Sequence, residues 1–270
     1  MNINIEPIDE IIEPRKNSVL KKLLITLFII IVIIFLFVVY ARYKATSGLK
    51  VYEYKVTNSS LPDSFHGVKV VHLSDIHFGK TVDIKYLNNI VNKVNELKPD
   101  IVVFTGDLGD VSNNKQEVIT LLASVNYTIG KYAISGEDDN DLFNEIFSNS
   151  GFINLNGISK FAYYNDNNPI MISNVNSDFE GFKLLLIHEP DKIDEYNNFD
   201  LVFAGHSHNG QIDIPFFKNL FLPDGAKRYY DRYYRVNDTD FYISSGIGTN
   251  DFKFRLFNKP SVNLYRLTKY

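Results

Sequence analysis

Seven side chains that can bind metal ions directly follow short apolar segments of this 270-residue sequence. All are carboxylates or imidazoles, and four of the six histidines of the chain are among them. Such a mixture of oxygen and nitrogen donors suits Mn, Fe or Zn. A single motif of this kind often matches by chance, so the ordered series is the informative signal. The seven residues are Asp75, His77, Asp107, Glu137, His188, His206 and His208.

The apolar segments before these residues have the composition of buried strands. Ile101–Thr105 is a continuous, largely β-branched run that leads directly into Gly106 and Asp107. Similar strands are predicted at residues 68–73, 132–135, 184–187 and 201–204. Helical apolar faces run from Ile84 to Leu97 and from Val118 to Val125. Because sites of open α/β sheets lie at the carboxyl ends of strands, we expect the seven side chains to converge.

Five segments of the chain resemble the motifs of calcineurin-like metallophosphoesterases, especially the small membrane-associated bacterial members. The similarity extends over most of residues 50–270. It implies an α/β fold built as a four-layer α-β-β-α sandwich. The matching segments are Leu73–Gly79, Thr105–Asp107, His188–Pro190, Ala204–Gln211 and Ser244–Thr249.

The resemblance also implies two divalent metal ions, for which we expect Mn²⁺, with Fe and Zn as alternatives. One ion would be held by Asp75, His77, Asp107 and His208, and the second by Asp107, His188 and His206. Asp107 would then bridge the two ions. A hydroxide held between them would attack phosphorus in line with the leaving group and cleave a phosphodiester or pyrophosphate bond.

One block departs from the family pattern. Relatives usually show Gly-Asn-His-Asp or Gly-Asn-His-Glu where this chain has Gly136-Glu137-Asp138-Asp139. Glu137 replaces the amide ligand and can still bind the second metal, but it makes the site less positive, which favours a diester or another substrate of low charge. Asp138 occupies the position of a catalytic histidine.

An aspartate at position 138 changes the expected proton transfer. A carboxyl group beside two cations should be ionised and is a poor proton donor. We therefore expect substrates with acidic leaving groups, such as a pyrophosphate-linked or aryl diester. The same replacement leaves a second hypothesis open, in which the chain is a non-catalytic, metal-stabilised binding or scaffold protein at the membrane.

Asn209 and Gln211 follow the paired histidines and have two possible roles. They could donate hydrogen bonds to the substrate phosphate, or they could orient His208 from behind. The sequence favours neither role over the other.

Residues 23–40 contain no charged side chain and are long enough to form a transmembrane helix. A cleaved signal peptide is the rival interpretation, but its apolar region is usually shorter and no small-x-small cleavage site follows. Basic residues lie on both sides of the segment, with a slight excess before it. This excess predicts a single-pass cell-membrane protein whose catalytic domain is extracellular.

The domain organisation predicted from these features has four parts. Residues 1–22 form a cytosolic polar tail, 23–40 the transmembrane helix, 41–50 a linker and 51–270 the metallophosphoesterase domain. The membrane tether suggests a phosphate-ester substrate that is lipid-linked or part of the cell envelope. A net charge of −4 argues against nucleic acid as the main partner.

Overall fold

The computed structural model describes residues 16–214, 221–250 and 253–270 of the chain. Its contacts divide the chain into two units, with the boundary between Tyr40 and Ala41. Most of the predicted polar tail, residues 1–15, lies outside the described residues.

The N-terminal unit contains helix α1, Lys16–Val39. Its apolar side chains are exposed on every side, whereas a helix on the surface of a soluble domain would have a polar face. Residues 19–44 are long and apolar enough to cross a membrane. The helix begins seven residues before the predicted start at Leu23, because lysine is a good helix former and Lys21 and Lys22 continue the helix.

The segment predicted as a linker, residues 41–50, is attached to the second unit through two buried residues and one main-chain hydrogen bond. Tyr40–Lys44 form one turn of π-helix, and the side chains of Ala41 and Ala45 are buried. The main-chain N–H of Arg255 donates to the carbonyl of Ala41 over 3.1 Å. Residues spaced four apart lie on one helical face, so the two alanines can be buried together. This part of the chain is therefore not a free tether.

The second unit contains twelve strands and three α-helices in the described residues. The strands are β1 Lys50–Thr57, β2 Lys69–Leu73, β3 Ile101–Thr105, β4 Gly130–Ile134, β5 Ile153–Asn154, β6 Ser159–Ala162, β7 Ile170–Ser173, β8 Lys183–Leu186, β9 Leu201–Ala204, β10 Tyr233–Val236, β11 Thr239–Ile243 and β12 Ser261–Thr268. The helices are α2 Ile84–Glu96, α3 Lys115–Ala123 and α4 Leu142–Asn149.

The strands form two six-stranded sheets, in the orders β1-β12-β2-β3-β4-β5 and β10-β11-β9-β8-β7-β6. Apolar side chains of α2, α3 and α4 pack on the outer face of the first sheet, and a second cluster fills the space between the sheets. The predicted α/β fold with one N-terminal apolar helix is confirmed.

The fourth layer differs in detail from the expected α-β-β-α sandwich. Among the described residues, the outer face of the second sheet is covered by a 3₁₀ helix, Pro190–Glu195, and by Phe199 rather than by an α-helix. The short connection from β8 to β9 also carries His188, which leaves room for only one short helix.

The strands that precede the candidate ligands run in the same direction within each sheet. β2, β3 and β4 are parallel neighbours in the first sheet, and β8 and β9 are parallel neighbours in the second. Their carboxyl ends therefore bring polar loops from both sheets to one region, as the sequence predicts for strands of this type.

Candidate metal centre

The backbone at the candidate ligands is unusual. Five of the seven residues adopt a positive φ between 45° and 62°, a region that side chains other than glycine seldom occupy. Such conformations persist only where the surrounding structure enforces them, and they cluster at functional sites. The five residues are Asp75, His77, Asp107, His206 and His208.

One group of ligand atoms comes from Asp75, His77 and His208, all of which are buried. His208 Nε2 lies 3.5 Å from Asp75 Oδ1 and 3.1 Å from His77 Nε2. The main-chain N–H of His206 donates to Asp75 Oδ1 over 2.9 Å, which ties the loop after β9 to the loop after β2. Both sheets thus contribute to this group.

A second group comes from Asp107, Glu137, His188 and His206. The Glu137 carboxylate lies between two imidazoles, with Oε2 at 2.7 Å from His188 Nε2 and Oε1 at 2.6 Å from His206 Nδ1. Asp107 Oδ2 is 3.3 Å from His188 Nε2 and 3.7 Å from His77 Nε2. Asp107 therefore stands between the two groups.

The residues fit divalent ions by the orientation of their lone pairs. His188 donates from Nδ1 to the carbonyl of Thr105 over 2.5 Å, and His206 donates from Nε2 to the carbonyl of Asp224 over 2.5 Å. Each bond leaves the other ring nitrogen directed at the carboxylates, the usual arrangement for a metal-bound histidine. Asp75 Oδ2 is buried without a hydrogen-bond partner among the described residues. A bound cation would satisfy a buried carboxylate oxygen of this kind.

The charges of the second group are strongly coupled. Burial alone would lower the pKa of His188, but the carboxylates of Asp107 and Glu137 outweigh it and raise the pKa well above its ordinary value. Burial likewise opposes ionisation of Glu137, yet the adjacent rings of His188 and His206 lower its pKa. Protons on these imidazoles are the ones that a divalent ion would displace on binding.

In the first group burial dominates. It raises the pKa of the Asp75 carboxyl, while it lowers the pKa of His208, which His77 and Arg255 lower further through their charges. A neutral imidazole is the form that binds a metal.

The loop Gly136–Asp139 lies directly against Asp107. A Cβ atom on Gly136 would stand 2.2 Å from Asp107 Oδ1, so only glycine permits this approach. Asp138 Oδ2 lies 3.2 Å from His77 Nδ1 and 2.9 Å from the ammonium of Lys80. The His77 ring and then Lys80 lower the pKa of the Asp138 carboxyl. The structure thus places Asp138 at the edge of the site as an ionised group.

Asn209 and Gln211 are buried beside the paired histidines, since each is only 3% exposed. Asn209 Nδ2 donates to Ser245 Oγ over 2.8 Å, and Gln211 Oε1 accepts from the main-chain N–H of Asn250 over 3.1 Å. These bonds hold the histidine loop against the segment that follows β11. They agree with the second of the two predicted roles, in which the side chains position the loop, while contact with substrate stays a prediction.

Three residues that support the site were not predicted from the sequence: Asp139, Asp224 and Arg255. Asp139 accepts three main-chain N–H bonds, from Asp107 at 2.9 Å, Leu108 at 2.7 Å and Gly136 at 2.8 Å. Asp224 contributes only its main chain, and Arg255 lies far from the motifs along the chain. Of these, only Asp139 lies in a segment that the sequence singles out, as the last member of a run of three acidic residues.

Arg255 is a fully buried cation beside the first group of ligands. Its Nη2 donates to the carbonyls of Ser245, at 2.8 Å, and Gly248, at 2.6 Å, and lies 3.2 Å from His208 Nδ1. Burial lowers the pKa of Arg255 to about 10. The guanidinium holds the loop after β11 against the ring of His208.

Comparison with known proteins identifies relatives of this arrangement. A family model described as calcineurin-like phosphoesterase matches residues 68–210, which include all seven candidate ligands. The chain is 30% identical over 254 residues to the uncharacterized metallophosphoesterase YkuE of Bacillus subtilis, and the alignment covers 84% of this chain and 88% of YkuE.

Two more distant relatives have named activities. The phosphodiesterase YaeI of Escherichia coli is 24% identical, over 74% of this chain and 82% of YaeI. The UDP-2,3-diacylglucosamine pyrophosphatase LpxG of Chlamydia muridarum is also 24% identical, over 76% of this chain and 86% of LpxG.

Proposed function

Because this chain belongs to the calcineurin-like phosphoesterase family and is a phosphoric ester hydrolase, we propose that it cleaves a phosphodiester or pyrophosphate bond at a two-metal centre. The proposed ligands of one metal are Asp75, His77, Asp107 and His208. Those of the other are Asp107, Glu137, His188 and His206.

The observation that carries this proposal is the position of Asp107. Its carboxylate lies within 3.3 Å of His188 Nε2 in one group and 3.7 Å of His77 Nε2 in the other. A single carboxylate between two sets of donors is what a bridged pair of ions requires. Two such ions, when bound, polarise the phosphate oxygens and activate a water molecule near neutral pH, which makes a protein nucleophile unnecessary.

The residues of the chain divide the remaining tasks. Glu137 adds a negative charge to the second group, which favours a substrate of low charge. Asp138 is ionised, so it cannot protonate the leaving group at neutral pH. The proposed substrate therefore has a leaving group that departs without protonation, as a phosphate or an aryl oxide does.

We also propose that α1 anchors the enzyme as a single-pass protein of the cell membrane, with the hydrolase domain outside. The exposed apolar surface of α1 supports the anchor, and the excess of basic residues before it supports the orientation. LpxG is named for a diacylated sugar nucleotide, which supports a lipid-linked substrate. Mn²⁺ is the proposed metal, because the donors combine carboxylates with imidazoles.

The test is hydrolysis of bis(p-nitrophenyl) phosphate by the purified full-length protein in detergent with Mn²⁺. Asp107→Ala should lower kcat/KM by more than about 100-fold, since loss of an outer partner of a metal ligand already costs about 10- to 100-fold. Asp110→Ala is the matched control, because Asp110 is an exposed carboxylate three residues further along.

Equal activity of Asp107→Ala and the parent would refute the proposed site. A parent that binds Mn²⁺ but cleaves no diester would instead favour the scaffold hypothesis. Circular dichroism of both variants establishes that any loss of activity is not a loss of fold.

A further inference from the structure

A second concave site lies next to the metal centre. It is a cavity of about 450 Å³ between the π-helical turn that follows α1 and the loop that follows β2. Arg42, Tyr43 and Thr46 line it from the turn, and residues 78–84 line it from the loop. This volume is within the range of small-ligand pockets, which is roughly 300–1,000 Å³.

The cavity adjoins the proposed active site through one side chain. Lys80 lines the cavity, and its ammonium is 2.9 Å from Asp138 Oδ2. Asp138 is in turn 3.2 Å from His77 Nδ1. A substrate could therefore place one group at the metal ligands and a neighbouring group in the cavity.

The charge of the lining favours an anion. No carboxylate within residues 16–214, 221–250 and 253–270 forms an ion pair with Arg42, whose guanidinium lies over the ring of Tyr43 at 5.2 Å. The acidic group of the lining, Asp83, accepts a hydrogen bond from the N–H of Tyr86 and caps α2. An arginine with no carboxylate partner is well suited to bind phosphate through a pair of N–H donors.

The turn that carries Arg42 is held firmly in the second unit. Ala41 and Ala45, on either side of Arg42, are buried, and the carbonyl of Ala41 accepts from the N–H of Arg255 at 3.1 Å. Thr46 Oγ1 donates to the carbonyl of Arg42 over 2.8 Å. Arg42 follows Val39, the last residue of α1, by three positions, so the cavity is built from the part of the unit closest in sequence to the apolar helix.

We propose that this cavity binds the second phosphate of a lipid-linked pyrophosphate diester whose first phosphate is cleaved at the metal centre. The inference rests on the proposed function and adds to it the substrate class and the residue that recognises it. Water adds across the P–O–P bond, and the products are a lipid phosphate and the phosphomonoester of the other substituent. Acyl chains stay in the membrane that holds α1.

The experiment compares two substrates in the same detergent micelles with Mn²⁺. One is cytidine diphosphate linked to dioleoylglycerol, and the other is bis(p-nitrophenyl) phosphate, which has no second phosphate. The readout is the ratio of kcat/KM for the lipid to kcat/KM for the soluble diester, so a partly misfolded preparation does not distort it. Acyl-free cytidine diphosphate glycerol distinguishes a lipid substrate from a soluble one.

Arg42→Gln should lower this ratio about tenfold or more, mainly through KM, because the charge-assisted hydrogen bonds from the guanidinium to phosphate are lost. Lys44→Gln is the matched control, since it removes the same charge from the same turn but Lys44 does not line the cavity. The control ratio should change by less than about twofold, as expected for an exposed charge.

Equal losses in the two variants would overturn the inference, because they would reflect general attraction between the turn and the micelle. An unchanged ratio in Arg42→Gln would also overturn it, and so would a parent that cleaves the acyl-free compound as well as the lipid. A parent that cleaves the soluble diester but not the lipid refutes this inference alone. A parent that cleaves no diester refutes the proposed function itself.

Discussion

Asp139 shows how one side chain outside the expected ligand set can fix the geometry of the site. Its two carboxylate oxygens accept the N–H groups of Asp107, Leu108 and Gly136. Burial raises the pKa of Asp139 to about 6, despite these bonds. The bonds hold Asp107 in its positive-φ conformation, on which both groups of ligands depend.

Asp139→Asn should weaken Mn²⁺ binding by about 10- to 100-fold, because the new NH₂ group would face main-chain donors. Titration calorimetry with Mn²⁺ measures this loss. Asp141→Asn is the control, since the exposed Asp141 precedes α4 without a capping bond from its side chain. Equal affinity of Asp139→Asn and the parent would show that the three bonds do not position Asp107.

Asp138 determines the expected dependence on the leaving group. As an ionised carboxylate it cannot supply a proton, so kcat/KM should rise steeply as the leaving group becomes more acidic. Rates across aryl phosphodiesters with graded leaving-group pKa values measure this slope. Asp138→His should reduce the slope, whereas Asp138→Asn, which also lacks an acidic proton, should keep it. A flat dependence in the parent would contradict the assignment.

At the scale of elements, the loop that follows β11 connects the two sheets at the site. The N–H of Gly248 donates to the carbonyl of Asp75 over 2.7 Å, and Arg255 holds the same loop by its carbonyls. Gly246 within this loop has φ of +66° and faces His208 and Asp75. The loop therefore acts as the support behind the first group of ligands.

Gly246→Ala should lower Mn²⁺ affinity by about tenfold or more, because its Cβ would stand 2.7 Å from His208 Nδ1 and 3.0 Å from Asp75 Cβ. Gly157→Ala is a close control, since Gly157 has φ of +70° and no atom within 4 Å of the added Cβ. Both variants share the cost of the left-handed backbone, about 1–2 kcal/mol. The same calorimetric titration, with unfolding curves for both, separates the two effects. Identical metal affinities would contradict the supporting role of the loop.

At the scale of the whole molecule, the contact between the two sheets buries His72 completely. Its ring stacks on Phe203, and its Nε2 lies 2.8 Å from Thr105 Oγ1. The Thr105 hydroxyl donates its own hydrogen bond to Ser74 Oγ, so His72 Nε2 is the donor to Thr105. Nδ1 has no hydrogen-bond partner among the described residues. A second proton would therefore be buried without a partner, and burial lowers the pKa of His72 to about 3.

This burial makes stability depend on pH. The folded state keeps His72 neutral down to about pH 3, while the unfolded state binds a proton below about pH 6.5. Stability from this residue is therefore intact above pH 6.5 and falls by about 1.4 kcal/mol per pH unit below it, to a limit of roughly 5 kcal/mol.

Urea unfolding of the full-length protein between pH 4 and 7 tests this dependence. His72→Gln retains a donor for Thr105. It should lower the slope of the free energy of unfolding against pH by about 1.4 kcal/mol per pH unit, the contribution of one proton. The comparison of the two proteins cancels the titration of groups that both contain. The same slope in parent and variant would mean that His72 is already protonated in the folded state.

The sequence by itself determined much of the site. Continuous apolar runs predicted the exact bounds of β3 and β9, because a strand buried on both faces is apolar at nearly every position. It also specified the seven candidate ligands and the apolar helix, because these depend on residue type and on local spacing.

Tertiary structure alone decided which distant segments meet. Three features depend on residues far apart in the chain: the placement of β12 between β1 and β2, the hydrogen bond from Arg255 to Ala41, and the burial of Asn209 and Gln211. Local periodicity cannot predict such contacts, because their free energy arises only when the two sheets pack together. For the same reason, the supporting roles of Asp139 and Arg255 became visible only in the folded chain.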